Sequence, residues 1–321
     1  MFVRLTAIRL LAISAVSLST AFAGPVVTPL SDGSPASAAT LANMVAGATP
    51  GLSVVPDSSL YTGAFTASGT FTAGGTGPTG LGINTGVVLS TGDARFIGSS
   101  AAFPGDSPNK STTFTAGIGN VLTPNLASGS SLFNSLAPFG TANASILSFE
   151  FVPQGTTLTL QLVFGSEDYN DLVNSGFPTD VFGVFVNGIN YAFVPGTATP
   201  ISASSINCGG PTPGLANFVG AQNCGLYRDN PPFFDLIDSE IDGFTVPIDL
   251  LIPVNKGVVN TISIGIADNV DSSGDSALLL AGLSILAVPE PSTMALLIAA
   301  LTGISATSRR RRHLLFHHRR G

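Results

Sequence analysis

The 321-residue chain has no tryptophan, and its three histidines, His313, His317 and His318, all stand near the C-terminal end. The body therefore has no imidazole to activate a serine or cysteine, and none to ligate zinc. Basic residues are almost as scarce. Between Gly24 and Val288 only Arg95, Lys110, Arg228 and Lys256 face 18 Asp and Glu, a net charge of −14. Phosphate binding needs clustered Lys and Arg, so this composition argues against a nucleic-acid partner and favours cations or neutral surfaces such as glycans. No G-x-S-x-G nucleophile turn is present. Glu167 and Asp180 are acids of the type a glycosidase pairs, but nothing in the sequence fixes the separation such a pair requires. The expectation is that the chain is not an enzyme.

The two ends read as addresses. Arg4 and Arg9 precede an apolar run from Leu10 to Leu18, followed by small residues at Ala21 and Ala23. That is the order of a secretory signal, with cleavage expected after Ala23. The run is shorter than the roughly 20 residues a permanent span needs. At the other end, Val288-Pro289-Glu290-Pro291 is followed by an apolar stretch from Met294 to about Ala306, then Arg309 to Arg312, Arg319 and Arg320. Positive charge behind an apolar segment keeps that end in the cytoplasm and the body outside. These three parts, in this order, resemble the PEP-CTERM sorting signal of Gram-negative bacteria. The resemblance implies a transient inner-membrane anchor, cleavage by an exosortase near the motif, and delivery to the cell surface or extracellular matrix. Signal peptidase and exosortase are the processing partners it implies. The run from His313 to Gly321 is longer and richer in histidine than such tails usually are, and reads as part of the basic flank.

Only two cysteines occur, Cys208 and Cys224, in one segment containing Gly and Pro. In an oxidising exported compartment a disulfide closing this loop is expected, worth on the order of 3 kcal/mol in the chain-entropy model.

With the ends set aside, about 265 residues remain, enough for one large domain. Thr, Val, Phe, Ser and Gly outweigh the strong helix formers, which favours strands and turns. Leu41 to Ala46 is the one early helix candidate, stopped by Pro50. Strand character appears at 53–55, 61–71, 86–90, 146–152, 156–165, 181–186, 261–267 and 276–286. Leu158, Leu160, Leu162 and Phe164 alternate with polar residues, as do Ile262, Ile264 and Ile266, in the manner of half-buried strands. Asn187-Gly188 between Val181–Val186 and Tyr191–Val194 is a hairpin signal, since both residues tolerate the positive φ of a two-residue turn. The Gly- and Thr-rich stretch 66–80 reads as a loop inside the domain. The fold class expected is all-β: an antiparallel sandwich or jelly roll, with a signal helix before it and a short hydrophobic helix behind.

Acidic residues gather in two segments that each follow a strand. One holds Glu167, Asp168 and Asp171, with Asp180 close behind; the other holds Asp268, Asp271 and Asp275. Two readings stand. These residues could be ligands for calcium, a hard cation taking 6 to 8 oxygens, although neither segment is an EF-hand. They could equally be the Asp, Asn, Ser and Gly of ordinary turns. A third acidic stretch, Asp235, Asp238, Glu240 and Asp242, could join that site or simply solvate a surface loop, and the loop is the favoured reading.

The same segments carry a second resemblance. Leu-Ser-Thr-Gly-Asp at 89–93, Phe-Gly-Ser-Glu-Asp-Tyr at 164–169, Asp-Val-Phe-Gly-Val-Phe-Val-Asn-Gly at 180–188, Asp-Gly-Phe-Thr at 242–245 and Ile-Ala-Asp-Asn-Val-Asp-Ser-Ser-Gly-Asp-Ser-Ala at 266–277 are similar to the choice-of-anchor L domain. Glu167-Asp168 stands where that family usually has two glutamates, and Thr179-Asp180 where it has Asn-Asp, so the acids are retained. The resemblance implies one exported β-rich domain. The organisation expected is a signal peptide at 1–23, a linker at 24–39, the β domain at 40–287 and the sorting tail at 288–321. The function expected is a structural or adhesive role at the surface or in a biofilm matrix, with exopolysaccharide as a candidate partner. A carbohydrate-binding module is the alternative, weakened by the lack of Trp and by only four Tyr.

Overall fold

The alternating runs become the inner faces of two packed antiparallel sheets. The structure is a computed structural model that describes residues 24–30, 32–47, 49–76, 80–98, 127–170, 172–210, 219–230, 237–239, 241–270, 272 and 274–286. The signal segment with Ala21 and Ala23, the tail with Val288, Pro289, Glu290 and Pro291, and both terminal helices lie outside the described residues. So do Asp171 and Asp271.

Fourteen strands are formed among the described residues: β1 (Val26–Pro29), β2 (Leu52–Val54), β3 (Leu60–Thr62), β4 (Ser68–Thr72), β5 (Gly86–Ser90), β6 (Thr141–Pro153), β7 (Thr157–Ser166), β8 (Val181–Val186), β9 (Ile189–Asn190), β10 (Tyr227–Asp229), β11 (Gly243–Thr245), β12 (Ile248–Pro253), β13 (Asn260–Asn269) and β14 (Ser276–Ile285). The first sheet runs β1-β4-β5-β14-β7-β11-β10, with β12 also paired to β7. The second runs β2-β6-β13-β8-β9, with β3 also paired to β6. All pairings are antiparallel, which makes the fold an all-β sandwich.

Leu158, Leu160, Leu162 and Phe164 of β7 face Ile262, Ile264 and Ile266 of β13 across a core completed by Leu147, Phe149 and Phe151 of β6. Both sheets also carry apolar residues on their outer faces. Val163, Leu279, Val88, Phe71 and Phe244 pack into a second cluster, and Phe133, Ile146, Val181 and Phe185 into a third. This double covering explains why β5 and β8 are buried at every position, as continuous apolar strands are when both faces are covered.

Four segments differ from expectation. The strand expected at 61–71 divides into β3 and β4 around a 3-10 turn at Phe65–Ala67, so that Ser68–Thr72 is strand within the 66–80 stretch expected as a loop. Residues 24–39 are not a bare linker: β1 pairs with β4 over Val26 to Pro29, and helix α1 starts at Pro35 behind the Ser34 cap. The helix expected at Leu41 to Ala46 is present but begins earlier, at Pro35, because Ser34 and Pro35 supply a capped start that the sequence reading overlooked; Asn43–Gly47 continues it as a π turn. Val186 and Ile189 do pair around the Asn187-Gly188 turn, whose φ angles are 50° and 81°, but the returning strand stops at Asn190. Beyond it the Tyr191 N–H still donates to the Val184 carbonyl at 2.8 Å, while Asn190 Oδ1 accepts the N–H of Val184 and of Ala192. Among the described residues no helix is long and apolar enough to cross a membrane.

Candidate functional site

One end of the sandwich collects the acids. β7 ends at Ser166, β14 begins at its partner Ser276, β13 ends at Asp268 and Asn269, β8 begins just after Asp180, and Thr91 follows β5. Asp168, Asp180, Asp268 and Asp275 are only 1, 3, 1 and 8 % exposed, against the expectation that turn acids face water.

Each carboxyl is held by neighbours. Asp168 Oδ2 accepts the backbone N–H of Asp180 at 2.7 Å, and its own N–H donates to the Ser166 hydroxyl at 2.9 Å. Asp180 Oδ1 accepts the N–H of Asn269 at 3.2 Å, and Oδ2 accepts the Ser276 hydroxyl at 2.7 Å. Asp268 Oδ2 accepts from Asn143 Nδ2 at 2.7 Å. Glu167, half-buried, takes the N–H of Asp275 on Oε2 at 3.3 Å and donates its own N–H to the Asp275 carbonyl at 3.0 Å. Asp275 also lies against Gly92 so closely that a Cβ there would sit 1.9 Å from Oδ2.

Electrostatics make this end costly. Asp93 is engaged by Arg95, whose Nε donates to it at 2.9 and 3.0 Å, but Asp180, Asp268 and Asp275 form no salt bridge among the described residues. Burial, then the charges of Asp168 and Asp268, push the Asp180 carboxyl well above the usual range. Burial raises Asp268 to about 8, with Asp275 and Asp168 adding to it and Asn143 and Thr91 opposing. Asp275 is raised to about 7, by burial and then by Asp93. The Thr91 hydroxyl beside Asp268 also favours its ionised form. Asp268 Oδ1 and Asn269 Oδ1 are both buried acceptors with no donor. Groups of this kind are rare in folded interiors and call for a donor or a cation. Among the described residues no three acidic or histidine side chains already stand in the arrangement of a closed metal cage.

Of the acids singled out in the sequence, the structure brings Glu167, Asp168, Asp180, Asp268 and Asp275 to this one end. The motif around Tyr169 divides its labour. The Tyr169 ring packs in the core, tilted against Tyr227 at 4.7 Å and Phe164 at 6.1 Å between ring centres. Asn170, at φ 64°, donates from Nδ2 to Asp229 Oδ1 at 2.7 Å and to the Tyr227 hydroxyl at 3.2 Å, tying the turn to β10. Asp242, read as part of a solvated loop, is instead buried, because it directly precedes β11, which pairs with the end of β7. Asp235 and Glu240 lie outside the described residues. The sequence reading also missed Asp93, Thr91, Asn143, Ser166 and Ser276. Thr91, Asp93, Ser166 and Ser276 stood inside the motifs that carry the family resemblance without being singled out, and Asn143 had only its position near the start of β6, which register brings to this place.

Cys208 and Cys224 are disulfide-bonded, as their spacing and the absence of histidine led one to expect.

An acidic, disulfide-closed β-sandwich with buried carboxyls at one end is a type of module that exported proteins carry. The class becomes specific on comparison with known families: residues 35–286 match the model of the Choice-of-anchor L domain. The chain belongs to that family, and the family makes it an exported bacterial surface protein. No curated protein and no solved structure matches it.

Proposed function

We propose that the chain is a surface or extracellular-matrix protein with a structural and adhesive role, sorted through its C-terminal tail by an exosortase and organised at one end by calcium. The observation that carries the sorting is the placement of Val288-Pro289-Glu290-Pro291 directly behind β14, the last strand of a domain that the family comparison assigns to exported proteins. Signal peptidase would remove 1–23, and the apolar stretch after the motif would hold the chain briefly in the inner membrane. The lack of histidine in the body supports a binding and scaffolding role over catalysis.

Calcium is supported by the buried Asp180, Asp268 and Asp275, which form no salt bridge among the described residues, and by the buried acceptors Asp268 Oδ1 and Asn269 Oδ1, which have no hydrogen bond of normal geometry there. A divalent ion held at this end would offer both a partner. Thermal unfolding of the full chain with calcium and then with chelator tests this part. A higher midpoint with calcium supports it by mass action, and identical midpoints refute it. The sorting part is tested by fractionating cells that carry the chain with Pro289-Glu290-Pro291 replaced by alanine. Surface delivery unchanged from the parent would remove the exosortase from the account.

A further inference from the structure

A cavity of about 490 Å³ opens beside the carboxylate cluster, within the ~300–1,000 Å³ of typical small-ligand sites. Thr179 and Asn269, the immediate neighbours of Asp180 and Asp268, line its inner side, Val181 and Ile201 give it an apolar floor, and Ser204 and Asn223 stand on its rim. None of its lining side chains is charged, in a body that carries −14.

The rim is rigid. Asn223 takes a left-handed conformation at φ 49° and donates from Nδ2 to the Ser205 carbonyl at 2.7 Å. Asn207 and Gln222 exchange backbone hydrogen bonds at 2.7 and 3.0 Å, and the Cys208–Cys224 bridge closes the loop next to them. The disulfide therefore staples the wall of the cavity as well as the fold. Phe177, 69 % exposed, directly precedes the lining residue Pro178 in the chain.

This chemistry is selective. A charged ligand finds no counter-charge among the lining side chains, and an acidic one also meets a body whose net charge is −14. A long alkyl chain would strip water from hydroxyls and amides without replacing their hydrogen bonds. A sugar ring, with an apolar C–H face and a periphery of hydroxyls, meets both the floor and the rim, and an exposed aromatic ring offers it a stacking face.

We propose that this cavity is a binding subsite for a short stretch of neutral polysaccharide. Choosing a polysaccharide over a free sugar rests on the surface role proposed above; the cavity chemistry does not. The experiment is calorimetric titration of the full-length chain with cellohexaose, mannohexaose and maltohexaose, and with a hexamer of galacturonate as the acidic control. It is repeated on Phe177→Ala and Ser204→Tyr, both at exposed positions, with unfolding midpoints checked. The expected result is binding of at least one neutral hexaose that falls about tenfold or more in Ser204→Tyr, equivalent to about 1.4 kcal/mol, and weakens in Phe177→Ala. No neutral binding, binding of the acidic hexamer alone, or neutral binding that survives Ser204→Tyr overturns the proposal. A chain found away from the cell surface would sink the surface reading and leave the titration result standing.

Discussion

The 2.7 Å bond from the Asp180 N–H to Asp168 Oδ2 joins the turn after β7 in one sheet to the start of β8 in the other. Asp180 Oδ2 returns the link by accepting from Ser276 at the start of β14. Two acids thus clasp the two sheets at one end, while their charges oppose each other.

That opposition sets a pH dependence. The folded-state pKa of Asp268 is about 8 and that of Asp275 about 7, both above the unfolded value, so the folded state binds protons that the unfolded state releases. Stability is then fullest below about pH 4 in respect of these groups and is lost as pH rises through 7 and 8. In chelator, the unfolding midpoint should fall steadily from pH 5 to pH 8.5, and calcium should flatten the curve. A midpoint that rises with pH in chelator would contradict the buried protonated cluster.

Asp268→Asn removes a buried charge while leaving an oxygen to accept from Asn143. In chelator above pH 8 this variant should unfold about 2–6 °C higher than the parent, taking about 1–2 kcal/mol gained and a domain of this size. Its midpoint should also respond less to calcium. A lower midpoint in chelator would mean that the Asp268 charge is compensated in the native state.

Gly92→Ala places a Cβ where Asp275 Oδ2 sits, 1.9 Å away. The carboxyl must move, so the variant should lose about 1–3 kcal/mol by denaturant unfolding and bind calcium more weakly. Gly188→Ala meets nothing within 4 Å but keeps a φ of 81°, so it should cost only conformational strain and leave any calcium response intact.

Replacing Cys208 and Cys224 by serine opens a bridge with a sequence separation of 16. The midpoint should drop by about 6–12 °C, from about 3 kcal/mol of loop-closure entropy. A double variant as stable as the parent would show that hydrogen bonds such as Asn223 to Ser205 already hold the loop closed.

Much of the sandwich was legible because burial on one face leaves a period-two trace. Leu158, Leu160, Leu162 and Phe164 could be assigned to the core from spacing alone, and 86–90 and 181–186 were bounded by turn residues at their true ends. The same trace was present in Ile248, Leu250 and Ile252 of β12 and went unread, although these residues are buried and their neighbours exposed. β1, β10 and β11 have three or four residues each, too short for periodicity, and exist because a neighbouring strand offers them a ladder. The acidic end was half legible. Sequence could show that Asp168, Asp180, Asp268 and Asp275 follow or precede strands, but their burial depends on register between β7, β8, β13 and β14. Asp93 joins them from 75 residues before Asp168 only because β5 pairs with β14.

That same β14 is last in the chain yet lies between β5 and β7, near the middle of its sheet. A nascent domain lacking Ser276–Ile285 has two half-sheets with nothing to join them, and four carboxyls with no roof. The sheet can therefore be completed only after Ser276–Ile285 has emerged, and these ten residues act as the key that closes it.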